Sequence, residues 1–112
     1  MAIGYGAGYN QNYDGSSGNT SVGYNAGYRN VTGTNNTYIG KAAGVGTSGG
    51  AVSNSYNTGV GSQALTAVTD GGLNVAIGAD AGLALTDGNN NVMIGVSAAH
   101  TTTSVGYGVF KI

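Results

Sequence analysis

Few residues of this 112-residue chain carry side chains that could perform acid–base, nucleophilic or metal chemistry. The sole histidine is His100, and the chain has no cysteine to join it in a zinc site. Three of the four acidic residues directly precede glycine, which is typical of tight turns. The four acidic residues are Asp14, Asp70, Asp80 and Asp87. They do not suggest the pair of carboxylates that glycan hydrolysis uses. The sequence therefore predicts no catalytic residue, no metal ligand and no cofactor, and we expect the protein not to be an enzyme.

Two short motifs are similar to ligand-binding loops. The stretch DGNNN at residues 87–91 has the oxygen atoms that calcium prefers, but it lacks the EF-hand spacing. The stretch GYGAG at residues 4–8 is glycine-rich like a dinucleotide loop, but no helix is predicted after it to receive a phosphate. Both stretches are therefore interpreted as turns.

The dominant feature of the sequence is a nine-residue pattern, clearest in NVAIGADAG at residues 74–82, that recurs along almost the whole chain. Its copies align on a central glycine, which we number position 0. These glycines are Gly4, Gly23, Gly40, Gly61, Gly78 and Gly95, separated by 19, 17, 21, 17 and 17 residues. A partial seventh copy places Gly106 another 11 residues on. A period of about 20 residues indicates stacked supersecondary units.

Three further positions of the repeat hardly vary. Position +3 is alanine in all six copies. Position −1 is always a branched aliphatic residue, namely Ile3, Val22, Ile39, Val60, Ile77 and Ile94. Position −4 is asparagine in five copies, namely Asn19, Asn36, Asn57, Asn74 and Asn91. In a stack of coils these asparagines are expected to form a structural ladder of side-chain amides, bonded to turn backbone groups and to each other.

Alternation within each copy predicts a short strand. Positions −3, which is Thr or Val, and −1 share one face, and position −2 points to the other. We assign the −3 and −1 face to the interior, together with the +3 alanine. The central glycine is predicted to turn the chain at positive φ, and a shorter return strand with an apolar residue at +7 or +8 and a polar turn complete the coil. The sequence therefore predicts an all-β fold, a parallel β-solenoid of about six short coils.

Composition favours the same architecture and excludes several function classes. Glycine accounts for 23 residues, there is no Pro or Trp, and only 6% of residues are charged. The large apolar side chains are too few to fill an ordinary hydrophobic core. Stability must therefore come from continuous ladders of backbone hydrogen bonds and from burial of surface between chains. The three basic residues make no footprint for nucleic acid. No apolar run approaches the roughly 20 residues of a membrane helix, and the N-terminal residues predict no secretory signal.

The repeat predicts a single domain over residues 1–112. We place coils near 1–18, 19–35, 36–56, 57–73, 74–90 and 91–101, and a partial coil or cap at 102–112. The longer third unit is interpreted as an outward loop near Gly49 to Ser55, since repeat arrays accept insertions on one face. After Gly95 the sequence VSAAHTTT departs from the usual return segment. The apolar C-terminal stretch is interpreted as a cap on the last strand or as a contact with another protein.

Four tyrosines are the candidate partner or glycan contacts. Tyr5 and Tyr24 occupy position +1 of adjacent coils, and Tyr9 and Tyr28 occupy position +5. Each pair is therefore expected to be neighbours in the stack. Such aromatic steps could bind sugar rings or a protein partner. The alternative is that they seal a seam between copies of the chain.

Five segments, NTSVGYNAG, NTYIGKAAG, NTGVGSQAL, NVAIGADAG and NVMIGVSAA, resemble the head repeats of YadA-like trimeric autotransporter adhesins. They are more similar still to the NTAIGYxAG arrays of phage tail-fibre proteins. The resemblance covers about residues 1–107. It implies a left-handed parallel β-roll, with three chains side by side about a threefold axis, on the surface of a virion or a bacterium.

Two functions follow as hypotheses. The preferred one is a non-enzymatic structural protein, a homotrimeric β-roll that serves as a short phage fibre, spike or capsid decoration on the virion surface. Its expected partners are copies of itself, another virion or surface protein at one end, and a host-surface glycan, with no nucleic acid and no membrane insertion. The alternative is the head module of an extracellular bacterial adhesin that binds glycan or matrix.

Overall fold

The chain forms a single parallel β-sheet in which successive strands are neighbours. The structure, a computed structural model, describes residues 1–11, 17–47, 54–103 and 110–111. The strands are β1 Ala2–Ile3, β2 Thr20–Val22, β3 Thr37–Ile39, β4 Thr58–Val60, β5 Val75–Ile77, β6 Val92–Ile94 and β7 Phe110–Lys111. All pairs are parallel in the order β1 to β7, and none of the described residues is helical. The prediction of an all-β parallel β-solenoid is confirmed.

Alignment on the central glycines predicts the register of the sheet correctly. Ile39 pairs with Val60, Val60 with Ile77 and Ile77 with Ile94. The central glycines themselves have φ between +119° and +132°. A Cβ on Gly78 would lie 2.5 Å from the carbonyl oxygen of Gly95, so this column has room only for glycine.

The assignment of the two strand faces was wrong. In β2 to β6 the middle residue, at position −2, is buried, whereas the residues at −3 and −1 are half-buried or exposed. Alternation establishes only that −3 and −1 share a face. The choice of face followed hydrophobicity, but each coil is so narrow that its interior accepts one strand side chain per rung, and the Ile/Val column faces outward.

The interior is filled by side chains whose sizes compensate from rung to rung. Tyr38 at position −2 of β3 is fully buried, and a Cβ on Gly44 would collide with its ring. Gly59 at position −2 of β4 leaves further room beside the same ring. The +3 alanines at 26, 43, 64 and 81 are fully buried. The same core also contains Leu65, Val68, Ala76, Leu85 and Met93. The prediction that the +3 alanines are interior is confirmed for these four, whereas Ala7 and Ala98, in the first and last of the six coils, are half-buried.

The return half of each coil is a series of turns and not the predicted second strand. In the first coil the amides of Ala7, Tyr9 and Gln11 donate to the carbonyls of Gly4, Gly6 and Gly8, each three residues earlier. Positions +2 and +4 are left-handed in every coil, including Asn25 with φ 55° and Leu65 with φ 53°. Alternating left-handed residues curl the backbone, so it cannot extend into a strand.

The segment after Gly95, the last strand and the longer third unit all differ from expectation. The return segment after Gly95 still stacks on the preceding coil, because Gly82 N–H donates to Ala98 O and Thr86 N–H donates to Thr103 O. β7 pairs with β6, with Phe110 opposite Val92, and the partial copy aligned on Gly106 lies largely outside the described residues. Of the proposed loop from Gly49 to Ser55, residues 49–53 lie outside the described part, and Asn54 is fully buried.

Candidate functional site

The acidic residues and the histidine do not converge on a site. Asp70, Asp87 and His100 are exposed on different coils, and Asp80 is half-buried at position +2. Asp14 lies outside the described residues. Over residues 1–11, 17–47 and 54–103, no group of three His, Cys, Asp or Glu side chains is placed to hold a metal ion.

The five position −4 asparagines form one buried column, which we call the asparagine ladder. In each step the Oδ1 atom of one asparagine accepts the backbone N–H of the asparagine in the next coil, at 2.8 to 3.0 Å. The Nδ2 group donates to a carbonyl at position −7, which is Gly33, Asn54, Gly71 or Gly88. The ladder therefore satisfies two backbone groups per coil in the interior, where an unpaired group would be costly.

A buried tyrosine extends this polar network, and sequence reasoning missed it. Tyr38 donates its hydroxyl hydrogen to Asn54 Oδ1 at 2.9 Å, and both residues are fully buried. Burial raises the pKa of the Tyr38 hydroxyl above its usual range. One signal was present in the sequence: position −7 is glycine at Gly33, Gly71 and Gly88, whereas the third unit has Asn54 there.

The outward column at position −1 is an exposed surface that we call the aliphatic file. It runs across strands β1 to β6, one residue per rung. Ile39, Ile77 and Ile94 are 40%, 41% and 38% exposed, which is high for side chains that normally prefer an interior. Contiguous exposed apolar surface is common at interaction sites, so the aliphatic file is a candidate for one.

The four candidate tyrosines are brought together at the first two coils. Tyr5 stacks on Tyr24 with ring centroids 5.6 Å apart, and Tyr9 stacks on Tyr28 at 5.1 Å, with both pairs nearly parallel. Between the two stacks lies a cleft of about 230 Å³, lined by Tyr5, Gly6, Tyr9 and Tyr28. We call it the tyrosine cleft. It lies past the central glycine, on the turn side of the coil, whereas the aliphatic file lies on the strand side.

Among the described residues, no helix is long and apolar enough to cross a membrane.

The described residues offer three features on which a function can be argued: the asparagine ladder, the aliphatic file and the tyrosine cleft. Comparison with protein-family models, with curated proteins and with solved structures found no match for this chain.

Proposed function

We propose that the protein is a non-enzymatic structural module that assembles with copies of itself through the aliphatic file. The observation that carries this proposal is the row of half-exposed isoleucines and valines on a regular sheet face. In an isolated chain this row faces water, and burying it against another copy recovers roughly 25 cal/mol per Å² of apolar surface. A small domain with so thin an interior gains from such burial more than a large one.

The assembly that we propose is a homotrimer of parallel rods, as in the repeats that the sequence resembles. The setting that we propose is a virion, where the trimer acts as a short fibre, spike or capsid decoration joined at one end to another virion or surface protein. Support comes from the rigid construction of the rod, in which each coil is hydrogen-bonded to the next through both backbone and asparagine ladders. A rigid rod of this kind can hold an attached protein in a fixed position, and this role requires no catalysis.

The oligomeric state tests the assembly. Native mass spectrometry and light scattering should give three times the chain mass of 10.9 kDa. The double variant Ile39→Lys, Ile77→Lys should be monomeric with an unchanged β-type circular dichroism spectrum, because two ammonium groups would have to be buried in the interface. Thr32→Lys, at an exposed turn position, is the matched control and should remain trimeric. A wild-type chain that stays monomeric at high concentration would refute the proposal.

A second function, the head module of a bacterial surface adhesin, is favoured by the exposed tyrosines. Antibody labelling separates the two settings. Labelling of purified phage particles supports the virion protein, and labelling of the outer surface of bacterial cells, with none on particles, supports the adhesin.

A further inference from the structure

The tyrosine cleft has the construction of a small binding site. Tyr5 and Tyr9 form its two sides, with 79% and 68% of their surfaces exposed. Each ring is backed by a parallel ring from the next coil, in the distance range of offset-stacked pairs. Because the stacks hold the rings in place, little side-chain freedom remains to be lost when a ligand binds.

Gly6 makes the cleft possible. It occupies position +2, where the other five coils carry a side chain: Asn25, Ala42, Gln63, Asp80 and Ser97. All six residues share the left-handed conformation, with φ 67° at Gly6 and 55° at Asn25. The first coil thus differs from the others in having no side chain at position +2, which lies between the two tyrosines at +1 and +5. A Cβ on Gly6 would clash with the end of the Asn25 side chain and would lie 3.2 Å from Cδ2 of Tyr28, a ring that lines the cleft.

The surroundings of the cleft select the charge of its ligand. The guanidinium carbon of Arg29 lies 5.7 Å from the centroid of the Tyr28 ring. An aromatic cage attracts cations, but here one lining ring already interacts with a positive charge, which disfavours a cationic ligand. With three basic residues in the whole chain, a polyanion finds too little charge to bind. A neutral ligand needs no complementary charge in the cleft and is the class that we take forward.

The size and lining of the cleft select the kind of neutral ligand. Its volume of about 230 Å³ is below the roughly 300 to 1,000 Å³ of sites for drug-sized molecules, so it fits one ring. Tyrosine has an apolar body and a hydroxyl at its tip, which suits a ring with an apolar face and a rim of hydroxyl groups. A proline-rich peptide also binds aromatic grooves, but it needs a trough that spans several residues.

We infer that the tyrosine cleft is a binding site for a neutral pyranose unit of a glycan, with Tyr5 and Tyr9 as the contact residues and Gly6 as the residue that admits the sugar. At the binding free energy per atom that is usual for ligands, a single ring gives a Kd of roughly 1 to 10 mM. Several copies in one assembly would raise the avidity for a surface that carries many such units. The site goes beyond the proposed structural function and does not depend on it.

Saturation-transfer NMR and tyrosine fluorescence test the site on the full chain, since there is no tryptophan to mask the tyrosine signal. The probes are the methyl pyranosides of glucose, galactose, mannose and N-acetylglucosamine, with decaproline and tetramethylammonium as competitors of other classes. At least one pyranoside should saturate at millimolar concentration. Tyr9→Ala and Gly6→Asn should each weaken binding at least tenfold, the second because asparagine is the residue that the next coil carries at this position. Tyr56→Ala, which removes an exposed tyrosine elsewhere, should leave binding unchanged.

Three outcomes would overturn the inference. The first is no saturation by any pyranoside up to about 50 mM. The second is binding that survives both cleft variants, and the third is binding of decaproline or tetramethylammonium in place of the sugars. The native mass of Tyr9→Ala is measured in parallel. A loss of assembly in this variant would place the tyrosines in the seam between copies and refute a free sugar site. A monomeric wild-type chain that still binds a pyranoside through the cleft would refute the proposed assembly alone.

Discussion

Replacing Asn74 by alanine is the most direct test of how the rod is held together. Asn74 lies in the middle of the asparagine ladder and is fully buried. Its Oδ1 atom accepts the Asn91 backbone N–H at 3.0 Å, and its Nδ2 group donates to Gly88 O at 2.7 Å and to Asn57 Oδ1 at 3.1 Å. Alanine can neither accept nor donate these bonds.

The expected loss follows from the backbone groups that lose a partner. Asn91 N–H and Gly88 C=O each lose the bond to Asn74, at about 1 to 3 kcal/mol per buried group, which gives roughly 2 to 6 kcal/mol in total. A chain of this length has a free energy of unfolding of roughly 6 to 17 kcal/mol. At about 4 °C per kcal/mol for a domain of this size, Tm should fall by roughly 8 to 24 °C.

Thermal unfolding followed by circular dichroism measures this change, with all variants at one protein concentration because assembly makes Tm concentration-dependent. Asn10→Ala is the control, since Asn10 is an exposed asparagine outside the ladder. Asn74→Asp separates the two halves of the amide: it keeps the acceptor for Asn91 N–H but sets an oxygen against Gly88 O, so it should also be strongly destabilised. A Tm of Asn74→Ala within 2 to 3 °C of the control would show that the ladder does not stabilise the rod.

Two further predictions concern the interior. Ala43→Leu should lower the free energy of unfolding by about 1 to 3 kcal/mol or more, because the site is fully buried and sized for a methyl group. Ala79→Leu, at a partly exposed position, is the control. Equal free energies of unfolding in the two variants would mean that Ala43 does not limit the packing. Burial raises the pKa of Tyr38, so above pH 10 the hydroxyl ionises in the unfolded chain before it does so in the folded one, and the free energy of unfolding should fall by up to about 1.4 kcal/mol per pH unit. Urea titrations at pH 9, 10 and 11 measure this slope, which should be smaller in Tyr38→Phe; the same slope in both proteins would contradict the assignment.

The register of the sheet could be predicted because it is a property of spacing. Once the central glycines are aligned, the pairs of the sheet follow without knowledge of any contact, as in the file from Ile39 through Val60 to Ile77. The positions of the asparagines and of the stacked tyrosines follow in the same way, since one column of the alignment becomes one row of the rod.

The direction of the side chains could not be predicted in this way. Alternation is symmetric between the two faces, and hydrophobicity favoured the wrong one because the outward residues are the more uniformly aliphatic. The buried pair Tyr38 and Asn54 was missed for a related reason. The two residues are 16 positions apart and belong to different columns, so only the packing of neighbouring coils brings them together.

The sequence by itself determined that this protein is a parallel β-solenoid and which residues are neighbours along it, because a repeat with invariant glycine, alanine and asparagine positions can stack in only one register. Only the tertiary structure decided which face is interior, where the last strand lies, and that an aliphatic file and a tyrosine cleft remain exposed. The reason is physical: register depends on spacing along one chain, whereas the choice of face depends on how much volume a closed coil can hold.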